Sequence, residues 1–109
     1  MIVAMDESRW KSLSLIEQMA NIGSEVGRSA KWLSKDKKEQ AEGAYLRALD
    51  LFDLTIKYGR VGQPGRREML KELCRARECF VESFQNSDTA SLAAMDGYFG
   101  KFALAQRRR

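Results

Sequence analysis

At 109 residues, 44% hydrophobic and 31% charged, the chain has the size and composition of one small globular domain, which excludes a disordered tail. Nineteen Lys and Arg against fifteen Asp and Glu leave a formal charge of +4, enough to permit an anionic partner without requiring one. No run has the length of a membrane span, and the opening MIVAMDESRW lacks the basic start and long apolar core of a secretory leader, so the expected location is cytoplasmic with no membrane partner.

Residues 1–13 read as an N-terminal extension and 14–109 as a single domain. Ser14 and Glu17 have the S-x-x-E spacing of a capping box, and an apolar stripe follows through Leu15, Met19, Ile22, Val26, Ala30 and Leu33. The first helix is therefore expected over about 15–33. After the charged break SKDKKE, Asp36 and Glu39 repeat the capping spacing, and a second helix follows to Tyr58, where Gly59 is placed as a terminating C′ glycine. The segment RVGQPGR is the clearest loop. A third helix then carries Met69, Leu73, Ala76, Phe80 and Phe84 inward, with Cys74 and Cys79 about 140° apart around it, unable to pair and expected to be reduced and partly buried. QNSDT is a turn with an Asp or Thr cap, and a fourth helix presents Leu92, Met95, Phe99 and Phe102, with its continuity through Gly97 and Gly100 left open. No strand pattern competes, so the expected fold is all-α, an antiparallel up-down-up-down four-helix bundle.

Glycine in a helix interior is worse than alanine by about 1 kcal/mol, so Gly23 and Gly27 need a reason. With Ala20 and Ala30 they form a narrow strip that lets another backbone or a large ring come close. Gly97 and Gly100 lie at the matching level of the fourth helix. Either the two helices approach closely at mid-height, or Tyr98 or Phe99 fills the groove over Gly23, or the first helix is kinked or broken at Gly27.

The second helix has more apolar surface than one face uses. Tyr45, Ala48, Leu49, Phe52 and Ile56 serve one side, while Leu46, Leu51, Leu54 and Tyr58 spread beyond it, leaving a thin polar stripe of Arg47, Asp50, Asp53 and Lys57. Two readings follow. Leu46, Leu51, Leu54 and Tyr58 form the interface of a homo-oligomer, or they reach the core at a wide angle.

An up-down-up-down course gathers the N-terminal segment, the loop after the second helix and the C-terminus at one end. Arg9, Lys11, Lys57, Arg60, Arg66, Arg67, Arg107, Arg108 and Arg109 would meet there, opposed mainly by Asp6, Glu7 and Glu68. Lys57, Arg60 and the final arginines suit helix C-termini. Arg66 and Arg67 begin the third helix, where acidic residues are favoured, and Lys71 and Arg75 continue their strip. Arg60, Arg66, Arg67, Lys71 and Arg107 to Arg109 are therefore the expected nucleic-acid-binding residues, with the arginine fork suited to phosphate.

The chain contains no His, which removes Ser-His and Cys-His nucleophile pairs and histidine metal sites. Two cysteines are too few for structural zinc, and no glycine-rich phosphate loop follows a strand. Asp50 and Asp53 read as part of an ion-pair ladder with Arg47 and Lys57. Neither an enzyme activity nor a metal or cofactor is expected.

Asn21, Ile22, Gly23, Glu25, Gly27 and Arg28, followed by the aromatic-Leu-Arg-x-Leu pattern of Tyr45, Leu46, Arg47 and Leu49, resemble the bacterial four-helix-bundle family of intervening-sequence proteins and retroelement accessory variability proteins. The likeness spans Gln18 to Tyr58, and departs from that family in the placement of the glycines and in a looser connection between the first two helices. It implies a ring-like homo-oligomer with a basic surface for nucleic acid and a partner reverse transcriptase. The chain also resembles small bacterial helical proteins from which no activity carries over.

Two functions remain after these exclusions. One is a self-assembling accessory bundle that binds RNA or DNA backbone, or a nucleoprotein complex, through its arginine-rich end. The alternative is an adaptor or antitoxin-like protein that buries the apolar surface of the second helix against a protein partner.

Overall fold

The structure, a computed structural model, describes residues 7–108. Expectations that concern residues 1–6 and Arg109, including the charge of Asp6, lie outside the described residues. Five helices and no strand make up the described chain, which is all-α: α1 (Glu7–Ser12), α2 (Leu15–Ser34), α3 (Lys38–Tyr58), α4 (Arg66–Gln85) and α5 (Thr89–Arg107).

Local chemistry accounts for most of the boundaries. At the start of α2 the Ser14 hydroxyl accepts from the Glu17 N–H at 3.1 Å, and the Glu17 carboxylate accepts from the Ser14 N–H at 2.8 Å, so each satisfies a donor the helix leaves orphaned. Asp88 caps α5 by accepting from the Ser91 N–H at 3.1 Å and the Ser91 hydroxyl at 2.7 Å. Bonding to the Ser91 hydroxyl first, and to the Ser91 N–H second, holds the Asp88 carboxyl below its ordinary pKa.

Two expected caps are different in the structure. Asp36 takes a left-handed backbone (φ 58°), so the cap position of α3 falls to Lys37, which makes no side-chain cap bond. Gly59 ends α3 in an extended conformation (φ −65°), and Arg60 after it is left-handed instead (φ 54°). Glycine is needed at 59 for space: a Cβ there would lie 2.7 Å from the Thr55 carbonyl oxygen and 3.2 Å from Met69 Cε.

The core is a continuous cluster of Trp10, Met19, Ile22, Val26, Tyr45, Ala48, Leu51, Phe52, Leu73, Phe80, Leu92 and Phe99. Its aromatic members touch in series. Tyr45 stacks on Phe84 with ring centroids 4.2 Å apart, and Phe52 bridges Phe80 and Phe99 at 5.9 Å from each.

Gly23 and Gly27 face α5. A Cβ at Gly23 would meet Phe99 Cβ at 2.6 Å, and one at Gly27 would meet Asp96 Oδ1 at 2.7 Å. Helix α2 is continuous through both glycines. Gly97 and Gly100 do not share this role. They lie within an uninterrupted α5 but have open space where a side chain would be. Their spacing from Phe99 turns them to the outer face, because the residue that fills the α2 groove is the aromatic between them.

Helix α1 joins the core. Trp10 is fully buried and its indole N–H donates to the buried Thr55 hydroxyl at 3.0 Å, tying α1 to α3. This contact changes the reading of the apolar excess on α3. Leu51 is buried, Leu54 packs against the core, and Tyr58 lies under α1, its hydroxyl donating to Glu7 at 2.6 Å and its ring covered by Lys11. Of the four residues expected at an oligomer interface only Leu46 is exposed. A wide core and one extra short helix absorb the rest.

The polar stripe of α3 also pairs outward rather than along itself. Arg47 reaches Glu25 on α2 at 3.2 Å, Asp53 accepts from Arg77 on α4 at 2.9 Å, and Lys57 approaches Glu7 on α1 at 4.0 Å. Such partly exposed pairs add little stability each, about 0–1 kcal/mol, but they fix helix register.

Candidate nucleic-acid interface

The end of the molecule that carries the 59–65 loop brings together residues far apart in sequence. One groove, of about 1150 Å³, is lined by Lys11, Leu13, Ser14, Leu15 and Ile16 from α1 and the start of α2, by Lys57 and Tyr58 from the end of α3, and by Arg60, Val61 and Gln63 from the loop, with Gln18 also in its wall. A second, of about 340 Å³, is lined by Leu15, Met19, Arg60, Gly65, Met69, Glu72, Leu73, Tyr98 and Phe102. Arg60 belongs to both. Helix α5 therefore reaches this end, and its last turn, with exposed Arg107 and Arg108, continues past Phe102.

The larger groove is positively biased. The Lys11 and Lys57 ammonium groups lie 4.6 and 5.2 Å from the centre of the same Tyr58 ring, and Arg60 adds a third cation. Glu7 opposes them. Its carboxyl is held below the ordinary range, chiefly by the Tyr58 hydroxyl and then by Lys57, so it stays ionised at neutral pH. Lys57 is pushed up, first by its contact with Tyr58 and then by Glu7, so it stays charged as well. Three cations gathered beside Glu7 form a positive cluster of a kind suited to phosphate.

Arg60 carries this charge on a strained backbone. A non-glycine residue in the left-handed region is disfavoured by roughly 1–2 kcal/mol, and its guanidinium is turned back to the Pro64 carbonyl at 3.0 Å. The neighbouring glycine does not take that conformation.

Arg66 does not belong to this surface. Its guanidinium donates to the Gly59 carbonyl and, at 3.1 Å, to the Ile56 carbonyl, so it caps the C-terminus of α3 from the first turn of α4. This is why an arginine stands where an acidic residue would be favoured: it answers a neighbouring helix end, half-buried. Arg67 and Lys71 are exposed on the outer face of α4, along with Arg75. Cys74 and Cys79 are exposed free thiols on that helix, not partly buried as their position in a helical pattern suggests.

In the smaller groove the Tyr98 hydroxyl donates to Glu72. Burial first, and this contact second, push the phenol up to about 12, so Tyr98 stays neutral and Glu72 has a partner within the molecule.

The chain matches no protein-family model, no curated protein and no solved structure. Among the described residues no helix is long and apolar enough to cross a membrane.

Sequence patterns had placed Lys11 and Lys57 at the basic end without assigning them a site. Gln18 and Trp10 were missed altogether. A signal existed for Gln18: it stands three residues after Leu15 and four before Ile22, a polar side chain on an apolar stripe.

Proposed function

We propose that this chain is a non-catalytic, antiparallel up-down-up-down four-helix bundle, braced by an N-terminal helix, that binds the phosphate backbone of RNA or DNA, alone or in a nucleoprotein complex, through its basic end. The bundle description is supported by pairings that climb one helix as they descend the next: Gly23 with Phe99 and Gly27 with Asp96, then Tyr45 with Phe84 and Asp53 with Arg77. The observation that carries the function is the convergence of Lys11, Lys57 and Arg60 on one groove, where Lys57 approaches Glu7 at 4.0 Å. Arg67, Lys71, Arg107 and Arg108 extend the positive surface around it. Arg66 leaves the binding set. Backbone contacts of this kind position a nucleic acid without reading its sequence.

For self-assembly, as the family resemblance implies, and for the adaptor reading, Leu46 is the exposed member of the four α3 residues expected at an interface, with Leu54 and Tyr58 partly exposed beside it. A cytoplasmic location accords with two free thiols.

The test is a comparison of variants by fluorescence anisotropy with a labelled RNA hairpin at one low salt concentration. Replacing Lys57, Arg60, Arg67 and Lys71 together by glutamine is expected to weaken binding by about tenfold or more, since each lost phosphate contact weakens the electrostatic attraction. Arg66→Gln is expected to leave affinity unchanged. Equal affinity for the fourfold variant and the unaltered protein would contradict the proposal.

A further inference from the structure

The larger groove has aliphatic walls that a phosphate backbone leaves uncovered. Leu13, Leu15, Ile16 and Val61 line it beside Lys11, Lys57 and Arg60, and Val61 is 60% exposed. The uncharged polar groups between them are turned away or already paired. The Ser14 hydroxyl accepts from the Glu17 N–H at 3.1 Å, and the Ser14 N–H donates to the Glu17 carboxylate at 2.8 Å. The Gln18 side-chain nitrogen donates to the Trp10 carbonyl at 2.9 Å, and its oxygen is sealed from solvent. The Tyr58 hydroxyl donates to Glu7 at 2.6 Å. Gln63, exposed on the loop, is the remaining uncharged polar side chain that lines the groove. An occupant therefore meets hydrocarbon along the walls and positive charge beside it, with little hydrogen bonding between the two.

We propose that this groove binds an anionic amphiphile with a single acyl chain, its phosphate or carboxylate head meeting Lys11, Lys57 and Arg60 and its chain lying against Leu13, Leu15, Ile16 and Val61. The site shares its cations with the nucleic-acid surface but does not depend on that reading, because the aliphatic walls make contacts for which a phosphate backbone has no group. Inorganic phosphate satisfies the cations and leaves the walls wet. A neutral hydrocarbon covers the walls and leaves three cations unmatched. A docked protein segment brings an N–H and a C=O with every residue, and wall groups already paired within the fold do not answer them. An acyl chain has no polar group along its length, so burying it against these walls gains hydrophobic free energy without that cost. The lysine ammonium groups and the arginine fork then form charge-assisted bonds to the head. Arg60 and Val61 are neighbours on the loop, which brings a contact for the head next to one for the chain. At about 1150 Å³ the groove is as roomy as sites for drug-sized ligands, roughly 300–1000 Å³, and far larger than one phosphate requires.

The test uses the full chain with its isoleucine and valine methyl groups labelled with carbon-13. Decyl phosphate, kept below its micelle concentration, is the probe. Decyl maltoside supplies the same chain with a neutral head, inorganic phosphate the head without a chain, and vesicles of anionic phospholipid the same chemistry held in a membrane. Decyl phosphate is expected to shift the Ile16 and Val61 methyl signals, while those of Val26, fully buried further along α2, and Val81 on α4 stay in place. It is expected to bind about tenfold tighter than inorganic phosphate, the gain from burying about two methylene groups. A similar advantage of about tenfold over decyl maltoside is expected from the charge-assisted bonds to the head. Replacing Lys57 and Arg60 together by glutamine is expected to remove the advantage over decyl maltoside. Val61→Asp, at an exposed position and so tolerant of change, is expected to reduce the advantage over inorganic phosphate. Equal affinity for decyl phosphate and decyl maltoside, equal affinity for decyl phosphate and inorganic phosphate, or movement of the Val26 and Val81 signals with the rest would each overturn the site. Binding of vesicles with no response to decyl phosphate would assign the groove to a membrane surface and overturn the free amphiphile.

Discussion

A methyl group added at Gly23 would lie 2.6 Å from Phe99 Cβ, an atom bound to the α5 backbone, so it could be accommodated only by moving the helix. Gly23→Ala is therefore expected to lower unfolding free energy by about 1–3 kcal/mol in urea denaturation, the usual penalty of overpacking. Gly27→Ala presses on Asp96 Oδ1, the far end of a flexible side chain, and is expected to be near neutral. Gly97→Ala and Gly100→Ala meet open space and are expected to raise stability by about 1 kcal/mol each, because only helix propensity changes. The Trp10 and Thr55 pair is a second residue-scale test. Thr55→Val keeps the shape and removes the acceptor of a buried indole N–H, and a loss of about 1–3 kcal/mol is expected from the unsatisfied donor.

At the scale of elements, the cap of α5 makes stability depend on pH. Asp88 has a depressed pKa in the folded protein, so the charge of this cap stabilises above the ordinary value of 3.8 and its contribution is lost as pH falls through the lower folded value. Asp88→Asn keeps an acceptor oxygen but removes the charge. Its thermal midpoint is expected to fall below that of the unaltered protein at neutral pH, and the gap to close in acid. Arg66→Gln tests the other helix end: loss of its bonds to Gly59 and Ile56 is expected to destabilise the protein by about 1–2 kcal/mol.

These elements also show what a one-dimensional reading can carry. The four long helices were legible because their ends are signalled locally, by the Ser14 and Glu17 box, by Asp88 and by the loop around Pro64, and because their apolar stripes are long enough to have a period. Helix α1 was not, since six residues with one buried side chain, Trp10, have no period to detect. The two readings of α3 could not be separated for the same reason: Tyr58 is covered by α1, while Leu51 and Leu54 reach the core at a wide angle. Arg66 illustrates a third limit. Its partners are carbonyls seven and ten residues back, on another helix, and no local rule pairs a guanidinium with them.

For the molecule as a whole, composition permitted a polyanion partner, and the fold brings three of its cations, Lys11, Lys57 and Arg60, to one groove. The excess of four positive charges is small when spread over 109 residues. Around a groove where two lysines share a single tyrosine ring and Arg60 stands beside them, part of it gains a direction. The meeting of Lys11, Lys57 and Arg60 was legible from the expected course of the helices. The groove itself was not, because its walls come from α1, the start of α2, the end of α3 and the following loop.

The most direct measurement is the salt dependence of binding. A labelled RNA hairpin is titrated with the unaltered protein at a series of salt concentrations, and the logarithm of the association constant is plotted against the logarithm of salt. Displacement of counterions by a cluster of Lys and Arg predicts a straight line of negative slope, with each phosphate neutralised contributing about 0.9 to its steepness on a duplex. A flat line, or no binding at the lowest salt, would contradict the account and make the basic end a solvated surface.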